Sequence, residues 1–102
     1  FRTHGEALGR QFLEPAALGG AGSADMGNVS HRVPSIHPML ACAPPNVVIH
    51  HPDFARWAAS DMGDRAVLDG ARALALTAAE FLCSPALQAR TREAFEISRG
   101  LA

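Results

Sequence analysis

The second half of the chain has apolar residues at helical spacing. Between positions 61 and 83 most uncharged residues are Ala, Leu, Val, Met or Phe, which predicts one long helix that neighbours cover on most sides. Five of the six charged residues of this helix are expected on one narrow face: Asp61, Arg65, Asp69, Arg72 and Glu80. Ser84 before Pro85 predicts the start of a last helix, and Gly100 predicts its end.

The first half has a mixed pattern. Residues 1–13 and 25–33 are predicted as helices, and 52–59 as a third helix that Pro52 opens. The partly alternating segment 36–43 is predicted as a strand, and the β-branched run 47–49 as a second extended segment. Because one or two short strands cannot form an independent sheet, we expect the sheet to be completed elsewhere.

Length and charge narrow the class of protein. The chain has 102 residues, 48% hydrophobic residues and a formal charge of −1, which fits one small globular domain. This charge offers no footprint for nucleic acid or an anionic membrane, and no run approaches the roughly 20 apolar residues that cross a bilayer. The chain begins at Phe1, within a helical pattern, so we expect a piece of a longer protein.

The two cysteines and the absence of a signal peptide indicate the compartment. Cys42 and Cys83 are isolated in apolar stretches and form no C-x-x-C pair. Buried thiols are common in proteins of a reducing compartment. We therefore expect both to be buried and the protein to be cytoplasmic.

Among the five histidines, His50 has the most distinctive position. It follows the apolar run 47–49 and precedes a proline-opened helix, and strand ends of this kind commonly present functional side chains. A metal or catalytic role and a plain packing role both remain open for it. His51 is expected to be a capping or surface residue. His37 is expected to be buried within its strand and bonded to a backbone carbonyl.

Other candidate chemistry is sparse. No H-E-x-x-H is present, so the sequence holds no self-contained zinc site. The polar residues Ser23, Asp25 and Asn28 suit either helix capping or substrate binding. No G-x-S-x-G motif is present, and the adjacent Ser30 and His31 do not make a triad, which is defined by spatial roles. A serine hydrolase is rejected.

Three runs in order carry a resemblance to a known family. They are GSADMGNVS at 22–30, VPSIHP at 33–38 and HHPDF at 50–54. The chain resembles the aminoacylase/carboxypeptidase family of zinc metallopeptidases, and most closely the amidohydrolase branch with p-aminobenzoyl-glutamate hydrolase and the β-alanyl-lysine dipeptidases. The corresponding runs there read approximately GSTDMGNVS, VPSIHP and HTPEF, so Ala24 and His51 are departures. The run 71–78 resembles the family's long C-terminal helix.

The resemblance implies an α/β fold. Residues 1–102 would be the C-terminal segment of a phosphorylase/hydrolase-like three-layer catalytic domain, mostly helical with one or two short strands. The N-terminal half of that domain and a lid and dimerisation domain would lie on other polypeptide. The expected partners are the remainder of the catalytic domain, a small amide substrate and further copies in a homo-oligomer, with no nucleic acid and no membrane.

The resemblance also implies a reaction. A two-zinc centre would hydrolyse the amide bond of N-acyl amino acids or dipeptide-like substrates, with His50 as the family's last metal ligand. The other ligands and the general-base glutamate lie upstream in the family, so the chain alone is expected to be inactive. Asp25, Asn28 and His37 are the expected substrate-binding residues. The alternative is a small helical interaction module with a closed core and no catalysis.

Overall fold

The computed structural model of the protein describes residues 1–14 and 24–100, and in these residues the chain is mostly helical. We number its helices α1 (Arg2–Ala7), α2 (Met26–Ser30), α3 (Pro52–Ala58), α4 (Asp61–Cys83) and α5 (Pro85–Ser98). None of these helices is both long and apolar enough to cross a membrane.

The two predicted extended segments do not form strands. Residues 36–43 and 47–49 contain no strand in the described structure, so this part of the α/β prediction is wrong for the chain as it stands. A strand requires a partner that exchanges backbone hydrogen bonds with it, and neither segment pairs with another described segment. Between them a tight turn forms, in which the Val47 N–H donates to the Pro44 carbonyl at 3.0 Å.

Helix α1 is shorter than its apolar pattern predicts: it ends at Ala7. Gly9 has a φ of +84°, which glycine adopts at little cost. The Gly9 N–H donates to the Glu6 carbonyl at 2.9 Å, and the Arg10 N–H donates to the Gly5 carbonyl at 3.0 Å. This pair of bonds closes a helix through a left-handed residue. Arg10 therefore lies just outside the helix.

Helix α2 is also shorter than predicted. It begins after Asp25 and ends at Ser30, three residues before the predicted limit at Val33. Asp25 holds the N-cap position, but its side chain makes no capping hydrogen bond. Ser23, the other predicted cap, lies outside the described residues.

Helices α3 and α4 meet at a close junction. The Ser60 hydroxyl donates to the Trp57 carbonyl at 2.6 Å and accepts from the Gly63 N–H at 3.4 Å, so Ser60 caps the start of α4. Gly63 is buried. A Cβ atom at Gly63 would lie 2.8 Å from the Trp57 carbonyl oxygen, and closer still to that of Ala58. The close approach of the two backbones therefore requires glycine.

The predicted limits of α4 and the start of α5 are confirmed. Helix α4 spans the predicted 61–83. The Ser84 hydroxyl accepts from the Leu87 N–H at 3.2 Å, with Pro85 at the first helical position. After α5, Gly100 has a φ of +67° and donates its N–H to the Ile97 carbonyl at 3.0 Å. These ends are set by residues within one turn of each boundary.

The chain divides into two compact units. Residues 1–10 and 38–77 form the first unit, and residues 11–37 and 78–102 form the second. The buried apolar residues of the described chain are Ala43, Ala66 and Ala73, all in the first unit, together with the buried carboxylate of Asp69. Asp69, which the sequence groups on one face with other charged residues, is therefore buried on the inner face of α4.

Large apolar side chains are exposed in both units. On α4 they include Val67, Leu68, Leu74 and Leu76, so the described residues do not cover this helix on most sides as its composition predicts. Outside α4, the exposed large apolar residues of the described chain are Leu13, Val29, Val33, Ile36, Met39, Val48, Ile49, Trp57 and Ile97. The predicted burial of the cysteines is also not met, because Cys42 is half-buried and Cys83 is exposed.

Candidate metal-binding histidine

His50 lies in a turn immediately before α3 and has an unusual backbone conformation. Its φ is +63°, the one positive φ among the described non-glycine residues. This left-handed region costs most L-residues about 1 kcal/mol, although histidine occurs there more often than most. The side chain is exposed, and it has no hydrogen bond or ion pair with any other described residue. Both imidazole nitrogens are open to an outside group.

The neighbouring His51 is already engaged by the protein. Its backbone is extended at the N-cap of α3, and its Nδ1 accepts a hydrogen bond from the Asp53 N–H at 3.2 Å. The same nitrogen lies 3.4 Å from Asp53 Oδ2, and Arg56 Nη1 lies 3.7 Å from Asp53 Oδ1. The prediction that His51 caps this helix is confirmed. Because Nδ1 accepts, the proton of the neutral ring is on Nε2.

The residues present fit one ligand of a metal centre. Imidazole nitrogen is among the usual zinc ligands, and a site needs three or four such groups. Within residues 1–14 and 24–100, no group of three or more His, Cys, Asp or Glu side chains is arranged to hold a metal ion. His50 is therefore suited to completing a centre whose other ligands come from outside the described residues.

A shallow cavity of about 260 Å³ lies beside α2 in the second unit. It is lined by Ala24, Met26, Gly27, Ser30, Ser35, Ile36 and His37. His37 is exposed on its wall, so the predicted burial of His37 is wrong. No strand forms at 36–43, and no segment in the described part of the chain buries its ring.

The other two substrate-binding candidates, Asp25 and Asn28, lie at and near the start of α2. Both are exposed, and neither lines the cavity. The side-chain hydrogen bonds within residues 24–37 join the Ser30 hydroxyl to the Gly27 carbonyl, at 2.8 Å, and the Ser35 hydroxyl to the Val33 carbonyl, at 2.9 Å. The carboxylate and amide of this segment are therefore open to outside groups.

The first unit is held together by a charged pair that the sequence pattern did not reveal. Arg10 Nε donates to Asp69 Oδ2 at 2.9 Å, and Arg10 Nη1 donates to the Ala41 carbonyl at 3.1 Å. Arg10 Nη2 lies 2.8 Å from the same Asp69 oxygen, and the two side chains are 16% and 12% exposed. Nη2 is close enough for an ion pair but poorly aligned for a hydrogen bond. One guanidinium thus connects the end of α1, the segment after Pro38, and α4.

Two local signals point to this pair. Asp69 shares a helical face with Ala66 and Ala73, at spacings of three and four residues, and such a face is the one that packs inward. Gly9 follows the last helical turn of α1 and is a common stop signal. Together they place an arginine beyond the end of a helix and a carboxylate on a buried face.

The chain is similar in sequence to two known dipeptidases. The chain is 36% identical to a Xaa-Arg dipeptidase of Mus musculus over 98 residues, which cover 94% of the chain and 22% of the dipeptidase. It is 33% identical to a Xaa-Arg dipeptidase of Homo sapiens over 99 residues, which cover 95% of the chain and 22% of that protein.

The chain thus spans about a fifth of the length of these curated relatives. No protein-family model matches it. No solved structure matches it either. What the comparisons give is a similarity to dipeptidases, which are hydrolases, along nearly the whole chain.

Proposed function

We propose that the chain is part of the catalytic domain of a two-zinc amidohydrolase, a metallopeptidase that hydrolyses the amide bond of dipeptides or N-acyl amino acids. The observation that carries this proposal is the 36% identity to a Xaa-Arg dipeptidase across 94% of the chain, a span that includes His50. Dipeptides with a C-terminal arginine are accordingly the first substrates to test.

In this proposal His50 is a metal ligand that supplies a neutral imidazole nitrogen. Its exposure, its open nitrogens and its place directly before α3 support that role. A zinc ion held there would supply Lewis-acid polarisation of the amide carbonyl and activation of a water for attack. The other ligands and the general base come from polypeptide outside residues 1–102. Asp25, Asn28 and His37 are proposed to hold the substrate by hydrogen bonds.

The exposed apolar surface supports a role within a larger assembly. A monomeric soluble protein rarely exposes large contiguous apolar patches, yet α4 exposes Val67, Leu68 and Leu74. We propose that these side chains pack against the remainder of the catalytic domain, which would also supply the missing strands of the α/β layers. The full protein is proposed to form a homo-oligomer.

The alternative of a small helical interaction module is less well supported. It requires a closed core, whereas the buried apolar residues of the described chain are three alanines. No large side chain is fully buried in that part of the chain.

The proposal is tested with His50→Ala in the complete polypeptide encoded by the gene. We expect kcat/KM for a Xaa-Arg dipeptide to fall by more than about a hundredfold. Removing a residue that only hydrogen-bonds to a metal ligand already lowers metal affinity or activity by about 10–100-fold. Zinc content, measured by mass spectrometry of the metal, should fall as well, with the far-ultraviolet circular dichroism unchanged.

The matched control is His31→Ala, which removes another exposed histidine, at the end of α2. It should retain wild-type activity and zinc. If His50→Ala retains both as well, His50 is not a metal ligand and the proposal fails.

A further inference from the structure

The backbone around His50 is restricted on its C-terminal side. Pro52 fixes its own φ near −65°, and a residue before proline is confined to extended conformations, which His51 adopts at φ −117° and ψ 149°. His50 at φ +63° is thus the point where the chain turns from the segment 47–49 into α3. The direction of its imidazole depends on how firmly that turn is held.

The His51 side chain holds the start of the helix. Pro52 has no N–H, so the first backbone donor of α3 is the N–H of Asp53, and His51 Nδ1 accepts it at 3.2 Å. This is the bond that a Ser, Thr, Asp or Asn oxygen makes at most N-caps. The cap fixes the backbone one residue after the left-handed His50, and strained residues persist only where the surroundings hold them.

We propose that His51 is a positioning residue for His50: its Nδ1 caps α3 and thereby holds the His50 imidazole in the direction in which it binds zinc. This inference rests on the proposed function, and it assigns the adjacent histidines different tasks. His51 acts through the backbone, with its Nδ1 bonded to Asp53, and does not bind the metal. His50 binds it.

The decisive experiment compares zinc affinity among variants of the complete polypeptide, by competition with a chelator. His51→Ala removes the cap and should weaken zinc binding about tenfold, the lower end of the effect of losing a ligand's supporting partner. His51→Ser restores a capping oxygen and should bind zinc within about twofold of the wild type. A rescue by serine separates capping from coordination, because a lone hydroxyl does not replace an imidazole ligand.

Two further measurements separate the cap from the nearby charges and from folding. Asp53→Asn keeps the donated N–H and removes the carboxylate 3.4 Å from His51 Nδ1, so it should keep wild-type zinc affinity. In the metal-free wild-type protein, ¹⁵N spectra should show His51 protonated on Nε2 and not on Nδ1. This spectrum needs no variant, so it tests the cap even where His51→Ala does not fold.

The outcomes distinguish this inference from the proposed function. Wild-type zinc affinity in His50→Ala would overturn the proposed function. Loss of zinc in His50→Ala together with wild-type affinity in His51→Ala would overturn the positioning role alone. Equal losses of zinc affinity in His51→Ser and His51→Ala would also overturn the positioning role, because they would indicate that the His51 ring itself is a ligand. A proton found on His51 Nδ1 would overturn it as well, because a protonated Nδ1 cannot accept the Asp53 N–H.

Discussion

The Arg10 side chain in the first unit bonds to partners much farther along the chain than do the side chains of residues 24–37 in the second unit. In the first unit, Arg10 bonds to partners 59 and 31 residues away. In residues 24–37 of the second unit, the described side-chain hydrogen bonds reach three residues or fewer, and the backbone bonds reach at most four. Bonds between residues far apart in the sequence therefore fix the packing around Arg10, whereas the conformation of residues 24–37 depends on bonds between near neighbours in the sequence.

This difference separates residues that specify the fold from residues open to chemistry. The charges of Arg10 and Asp69 neutralise each other, because a largely buried charge must be paired. Asp25, Asn28 and His37 have no such commitment within the described chain. The three substrate-binding candidates therefore lie in a segment whose described bonds are all local.

The largest effect should come from breaking the long-range pair. Asp69→Asn leaves the Arg10 guanidinium largely buried without a counter-charge, and we expect a loss of about 2–3 kcal/mol in the free energy of unfolding, somewhat less than for fully buried pairs. Urea unfolding followed by circular dichroism measures it.

The control for this variant makes the same chemical change at Asp25, in the other unit. Asp25 is exposed and its side chain makes no capping bond, so Asp25→Asn should change stability by less than about 0.5 kcal/mol. Replacing both partners in Arg10→Met/Asp69→Leu should recover most of the loss. Equal losses at positions 69 and 25 would contradict the comparison.

The next largest change in stability is expected from replacing two helical glycines, Gly63 and Gly27. Gly63→Ala forces a Cβ against the Trp57 and Ala58 carbonyls, and because backbone must move we expect about 1–3 kcal/mol of destabilisation. Gly27→Ala meets nothing within 4 Å and should be neutral or stabilise α2 by up to about 1 kcal/mol. Thermal unfolding of the two variants checks the opposite signs, and a stabilised Gly63→Ala would refute the close junction.

The smallest effect tests a local cap in the second unit. Ser84→Ala removes the oxygen that accepts the Leu87 N–H and should cost about 1 kcal/mol. Ser98→Ala, which removes an exposed hydroxyl bonded to the Phe95 carbonyl, is the matched change and should stay within about 0.5 kcal/mol. Urea midpoints that do not separate the two would show that this cap adds nothing.

The sequence predicts the helices best where their signals are local. The end of α4 and the cap of α5 follow from Ser84 and Pro85, which act within one turn of the helix end. The stop at Gly9 was readable in the same way, although the apolar pattern suggested a longer helix. The strand predicted at 36–43 fails for a different reason, since pairing requires a partner that the segment itself does not encode.

The candidate site is predictable to a similar extent. The capping role of His51 follows from its place before Pro52, and the structure confirms it. The pairing of Arg10 with Asp69 joins residues 59 apart, and no short motif encodes that distance. The zinc-binding role of His50 and the substrate-binding roles of Asp25, Asn28 and His37 stay predictions.

The corner between α4 and α5 limits how the chain length can vary. Ser84 is the one residue between these helices, and Gln88 Nε2 donates back to the Phe81 carbonyl at 2.8 Å and to that of Leu82 at 3.3 Å. An insertion between Cys83 and Ser84 would shift Gln88 away from both carbonyls and break these two bonds. Natural variants of this protein should therefore hardly ever carry an insertion at this corner.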